Sequence, residues 1–171
     1  MNKQNETAKG RLLVISGPSG VGKGTVLAEL LKRSDDYAYS VSATTRAPRQ
    51  GEIDGKNYFF KTRGEFEKMI ENDELLEYAE YNGNYYGTPK KFVGELTARG
   101  KNVILEIEVQ GAMKVKSRYP EAVMVFIAPE SKEILRERLY GRGTESEAVI
   151  AGRIAIAERE LRACLLYDYI T

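Results

Sequence analysis

Leu12-Leu13-Val14-Ile15 is a short, uninterrupted apolar run that closes on a glycine-rich turn. An apolar run without alternation predicts a strand buried on both faces, as in a parallel sheet. Beyond the turn, Val26, Leu27, Leu30 and Leu31 fall on one helical face, and Lys32-Arg33 suit the negative end of that helix. Val103-Ile104-Leu105 and the run from Ala122 to Ile127 have the same buried-strand character. The first leads into a helix at about residues 112 to 117; the second is followed by Pro129 and a helix from Ser131. From Ser146 onward, Ile150, Ile154, Ala157, Leu161 and Leu165 recur at intervals of four and three, which predicts a long amphipathic helix. Strands alternating with helices imply right-handed crossovers and a parallel sheet.

Between about Tyr39 and Tyr86 the texture changes. Asn57-Tyr58-Phe59-Phe60 and Tyr85-Tyr86 read as short strand pieces, with turn signals at Gly51, Asp54-Gly55 and Asn82-Gly83-Asn84. The expected organisation is an α/β protein: a disordered tail over residues 1–10, then a single domain over 11–171. Within it the core comprises 11–38 and 100–171, and a small β-rich insert occupies about 39–90. Tyr169-Ile170-Thr171 opens a further strand.

Composition narrows the functional classes. The 171 residues are 42% apolar and 30% charged, which describes one ordinary globular domain and excludes collagen, coiled coil and disorder. The 26 basic and 25 acidic side chains nearly cancel, so no global field attracts a nucleic acid or an anionic membrane. Any anion site must be local. One cysteine and no histidine exclude an intrachain disulfide, a zinc constellation and a histidine-based triad. Cys164 reads as a small core residue. The polar N-terminus and the lack of a long apolar run give a cytoplasmic location as the expectation.

Gly17-Pro18-Ser19-Gly20-Val21-Gly22-Lys23-Gly24-Thr25 stands between the first strand and the first helix. In that context a G-x-x-x-x-G-K loop is a phosphate cradle. Its glycines let backbone N–H groups turn inward, the helix N-terminus adds a positive dipole end, and Lys23 reaches the terminal phosphates. Gly24 stands where many such loops carry Ser or Thr, and the hydroxyl moves to Thr25. The direct metal ligands are therefore left unassigned.

With the loop in place, further motifs follow in order: Ser42 through Glu52 (SATTRAPRQGE), Asn57-Tyr58-Phe59-Phe60, Glu77, Gly83 through Thr88 (GNYYGT), Leu105 through Ala112 (LEIEVQGA) and Arg138 through Arg153. Together they resemble the guanylate kinase family, over about residues 11 to 170. The resemblance implies a parallel-sheet P-loop nucleotide kinase core, a β-rich GMP-binding insert and a helical lid at about 136–153. It implies reversible transfer of the ATP γ-phosphoryl group to GMP with Mg²⁺. It also implies that the family's terminal strand and helix are missing after Thr171.

The residues can be given roles on that basis. Pro48 breaks regular spacing between Arg46 and Arg49, which lets two guanidinium forks converge on a phosphate dianion. The resemblance adds Tyr58 and Tyr86 to that phosphate site, and gives guanine to Glu77 with Ser42 and Thr88. A carboxylate suits guanine because N1–H and the N2 amine are adjacent donors. In the sequence alone Glu77 cannot be told from an exposed glutamate. Glu106 and Glu108 alternate at the carboxyl end of a parallel strand, where ligands of open sheets bind. The resemblance sends Glu106 to the Mg²⁺ and water network and Glu108 to the GMP side. Arg138, Arg142 and Arg153, around a Gly141-Arg142-Gly143-Thr144 turn, are the lid arginines that with Lys23 and Arg46 stabilise the transferring group. No general base is required, because a phosphate acceptor is already largely anionic near neutral pH. Two alternatives are weighed: a binding module that has lost catalysis and holds a phosphorylated partner, and a related P-loop kinase with another phosphorylated acceptor. The intact Lys23 loop argues against the first, and Glu77 with Ser42 and Thr88 against the second.

Overall fold

The computed structural model describes residues 9–140 and 147–171. Residues 1–8 of the expected tail, and Gly141, Arg142, Gly143 and Thr144 of the expected lid, lie outside the described residues. A five-stranded parallel sheet is built from β1 (Leu12–Ser16), β2 (Tyr37–Tyr39), β7 (Asn102–Glu106), β8 (Val123–Phe126) and β9 (Tyr169–Ile170), in the order β2-β7-β1-β8-β9. β1 is central because its apolar run has no polar face to offer water. Val14 packs with Val103, Leu105, Met124 and Phe126 on one side of the sheet, and Ile15 with Val21, Leu27, Ile104 and Ile127 on the other. Each such side chain contributes about 1.5–3 kcal/mol on burial.

Helices α1 (Lys23–Arg33), α3 (Lys90–Ala98), α4 (Val109–Arg118), α5 (Lys132–Tyr140) and α6 (Glu147–Arg162) lie along the core chain. In α1 the apolar stripe centres on Leu27, which is buried, whereas Val26 is 50% exposed. Val26 lies one residue, and so about 100° of helical turn, from Leu27, which puts it on the rim of the stripe. The expected register also fails at Leu165, which is 83% exposed. The reason is that α6 ends at Arg162 and a 3-10 turn (Ala163–Leu166) rotates the following side chains outward. Cys164, in that turn, packs partly buried against the main core.

The insert forms its own four-stranded sheet, in the order β4-β3-β6-β5, from β3 (Ala43–Thr44), β4 (Phe59–Phe60), β5 (Leu75–Tyr81) and β6 (Asn84–Pro89). Asn82 and Gly83 both have positive φ, 49° and 73°, as a tight two-residue hairpin between β5 and β6 requires. A helix not foreseen in the sequence, α2 (Arg63–Glu71), starts with a capping box between Thr62 and Glu65. It buries Phe66 against Ala43 and Leu75 in a small separate core.

Asp168 fixes the last strand. Its carboxylate accepts the Met124 N–H at 2.8 Å and Lys116 Nζ at 3.0 Å, while Tyr167 meets Phe126 edge-on at 5.1 Å. These contacts set Tyr169 beside Val125. The Met124 N–H and Lys116 hold the Asp168 carboxyl below its ordinary range. Its contribution is therefore complete above the unfolded value of about 3.9 and disappears as pH falls through the lower folded value. Asp168→Asn is expected to cost about 1 kcal/mol near neutral pH, discounted for partial exposure, and less at about pH 3, below the unfolded value. Urea unfolding at the two pH values measures this, and an equal loss at both would exclude a role for the charge.

Candidate active site

The loop after β1 is shaped by three glycines with positive φ: Gly17 (154°), Gly20 (88°) and Gly22 (103°). A Cβ on Gly17 would stand 2.3 Å from the Ile127 carbonyl oxygen, so the close approach of β1 and β8 admits no side chain there. Gly22 supplies the residue before α1, whose first turn carries no acidic side chain, so the positive end of the helix opens on the loop unneutralised. Lys23 Nζ folds back to donate to Gly17 O at 2.6 Å and Pro18 O at 3.3 Å. Burial pushes its ammonium below the usual lysine range, with Glu106, Glu160 and Glu108 opposing that shift. Thr25 is exposed at the start of α1.

Two of the expected lid arginines reach this loop. Arg138 Nη1 donates to Val21 O at 2.8 Å, and Arg153 Nη2 donates to Ser19 Oγ at 2.6 Å. Leu135 and Ala157 pack together between α5 and α6. Arg138 is three residues after Leu135 and Arg153 four before Ala157, so the contact that joins the helices also aims both guanidinium groups. The third, Arg142, lies outside the described residues.

A cavity of about 160 Å³ opens where the insert meets the carboxyl edge of the sheet, lined among others by Tyr39, Ser42, Asn57, Tyr58, Thr88 and Glu106. Behind Thr88 lies Glu77, only 7% exposed. Thr88 Oγ1 donates to Glu77 Oε1 at 2.8 Å. A Cβ on Gly111 would come within 3.1 Å of Glu77 Oε2, so the first turn of α4 is kept bare to admit the carboxylate. Burial raises the Glu77 carboxyl above its ordinary range; the Thr88 hydroxyl and Lys114 act against this, and Glu108 adds to it.

Next to Tyr58 of the lining, Arg46 Nη2 donates to both oxygens of Glu52, at 2.8 and 2.9 Å, and Nη1 donates to Ala47 O at 2.7 Å. Its guanidinium lies 5.4 Å from the Tyr58 ring centre, and Tyr58 meets Tyr86 edge-on at 6.1 Å. Arg49 gives its backbone N–H to Glu52 at 2.7 Å while its side chain is exposed. The two arginines are thus joined through Glu52, a residue the sequence reading quoted without a role. Glu106 ends β7 and accepts from Tyr39 OH at 2.5 Å. Glu108 is the residue before α4, and its charge acts on Lys23, Glu77 and Glu160. Glu160 was also missed. Its signal was its place seven residues, two helical turns, after Arg153. Among the described residues no cluster of three His, Cys, Asp or Glu side chains could hold a metal ion.

The chain as a whole is similar to known proteins. The family model described as guanylate kinase matches residues 9–171. A guanylate kinase of Halalkalibacterium halodurans is 58% identical over 165 residues, covering 96% of this chain and 81% of the relative. One of Lactococcus lactis is 56% identical over 161 residues, covering 94% and 78%. The crystal structure of guanylate kinase from Anaplasma phagocytophilum superposes with a TM-score of 0.73 at 36% identity, covering 96% of this chain and 77% of that one.

The buried acid generates a stability test. Because the folded protein favours protonated Glu77, that residue's contribution is greatest at low pH and declines as pH rises through the raised folded value. Ligand-free Glu77→Gln is expected to melt at or above the wild-type temperature near pH 8, with the advantage shrinking toward pH 4. A variant less stable near pH 8 than near pH 4, relative to wild type, would contradict the desolvation account.

Proposed function

The chain belongs to the guanylate kinase family and catalyses ATP:GMP phosphotransfer, and we propose the following division of labour among its residues. The observation that supports it is the meeting of two anion sites at the carboxyl edge of one sheet. The Lys23 loop follows β1, and the cavity lies at the end of β7 with Glu77 bonded to its Thr88 and Arg46 beside its Tyr58; Glu106 lines the cavity and acts on Lys23.

Gly17, Pro18, Ser19, Gly20, Val21, Gly22, Lys23, Gly24 and Thr25 cradle the ATP phosphates. GMP lies in the cavity. Glu77 Oε2, the oxygen left over by Thr88, accepts from guanine N1–H and N2, with Ser42 nearby. Arg46, Arg49, Tyr58 and Tyr86 hold the GMP phosphate. Nothing favours a lost-catalysis module or a different acceptor. Residues 39–90 serve as the GMP-binding part and 136–153 as the lid, from which Arg138, Arg142 and Arg153 close on the phosphates.

A GMP phosphate oxygen then attacks the γ-phosphorus, a new P–O bond forms, and the bond to the β–γ bridging oxygen breaks to leave ADP and GDP. Charge in transit spreads over the equatorial oxygens, where Lys23 and the arginines stabilise it without moving a proton. Mg²⁺ fits as an ion that keeps several waters and is held mainly by substrate phosphates, since among the described residues no three His, Cys, Asp or Glu side chains cluster to hold it. The Thr25 hydroxyl and the Glu106 carboxylate would hold it and its waters, and it would supply charge neutralisation. Glu108 stands on the GMP side. No described helix is long and apolar enough to cross a membrane; a cytoplasmic location is part of this proposal.

A nucleotide-panel turnover assay tests the substrate assignment. Activity with AMP is expected to be about four orders of magnitude below that with GMP, because the buried carboxylate would face an acceptor. Equal rates would sink the role of Glu77. Lys23→Ala is expected to lower kcat by roughly a hundredfold or more with little change in GMP affinity. Unchanged turnover in that variant would show that the loop does not hold the transferring group.

A further inference from the structure

Three neighbouring strands place three groups in a row. β2 pairs Tyr39 with Ile104 of β7, and β7 pairs Glu106 with Ile15 of β1. Just past β1, the Gly17 carbonyl holds the ammonium of Lys23 at 2.6 Å. Glu106 therefore stands between a phenol on one side and a cation on the other. Its Oε2 accepts from Tyr39 OH at 2.5 Å, the length of a charge-assisted hydrogen bond. Lys23 and Glu106 make no ion pair among the described residues, although Glu106 is the strongest charged influence on that lysine.

A glutamate has one more rotatable bond than an aspartate. Without a fixed partner, its carboxylate would be drawn toward the adjacent ammonium and would occupy the charge that the phosphates need. Packing alone does not explain the tyrosine, since Tyr39 is 41% exposed on a three-residue edge strand.

We propose that Tyr39 is a positioning residue whose hydroxyl holds the Glu106 carboxylate away from Lys23 and so keeps the lysine available to a nucleoside triphosphate. The proposal rests on the Lys23 loop being the ATP site. Phenylalanine at this position keeps the ring and removes only the tether.

The test is calorimetric titration of a non-hydrolysable ATP analogue, and separately of GMP, into folded wild type, Tyr39→Phe, Glu106→Gln and the double variant. Wild-type binding of the analogue checks the ATP site itself. Tyr39→Phe is expected to weaken the analogue by about threefold to tenfold and to leave GMP within about twofold. Adding Glu106→Gln is expected to restore the analogue to the affinity of Glu106→Gln alone, because a neutral amide has no pull on Lys23. Three results would overturn the proposal: unchanged analogue affinity in Tyr39→Phe, a loss that persists in the double variant, or an equal loss for GMP, which would mark the hydroxyl as a contact of the cavity that Tyr39 lines.

Discussion

No side chain fits at position 17, where the ends of β1 and β8 bring the Ile127 carbonyl to 2.3 Å from where a Cβ would lie. That closeness follows from β1 being buried on both faces and paired on both edges. The chain must leave the sheet through glycine, and a glycine loop that ends in the N-terminus of α1 is a place where an anion is welcome. Around it the arginines of α5 and α6, the lysine of α1 and the glutamate of β7 are brought in by ordinary helix and strand packing. On β1 and β7 the packing leaves Ser16 and Glu106 as polar positions at the carboxyl ends, beside the proposed site.

Elements whose side chains obey one rule along their length were legible in the sequence. β1, β7 and β8 are uninterrupted apolar runs, and α1 and α6 carry a regular stripe. The insert was legible only in outline, because its strands are two to seven residues long and its core rests on a few side chains such as Phe66. Phe66, Met69 and Ile70 have helical spacing, but nine residues is short for that signal to stand out. Register at the end of α6 was not legible at all, since a 3-10 turn changes the angle per residue without changing composition.

The candidate site divides in a similar way. The loop announces itself because its glycines, lysine and flanking elements are contiguous. Glu77 does not, because what makes it distinctive is burial under Thr88 and against a bare stretch of α4, and neither is local in sequence. Glu52 and Tyr39 were passed over for the same reason: their importance lies in partners, Arg46 and Glu106, that they meet through the fold. Carboxylates also outnumber expectation near Lys23, where Glu106, Glu108 and Glu160 all bear on one ammonium, and burial lifts the Glu160 carboxyl above its ordinary range.

Each described cation of the two proposed anion sites for which a contact is resolved is engaged by the protein itself: Lys23 by Gly17 O, Arg138 by Val21 O, Arg153 by Ser19 Oγ and Arg46 by Glu52. Ligand entry is therefore an exchange of acceptors and not the filling of bare charges. A small lone anion replaces one or two of these contacts and gains little, since what it forms resembles what it breaks. A chain of phosphates displaces several together, and only the later contacts profit from the order already imposed by the first. On the proposed assignment, discrimination against inorganic anions would arise from how many bonds must change hands at once, a threshold set by the protein's own contacts as much as by the fit of its substrate.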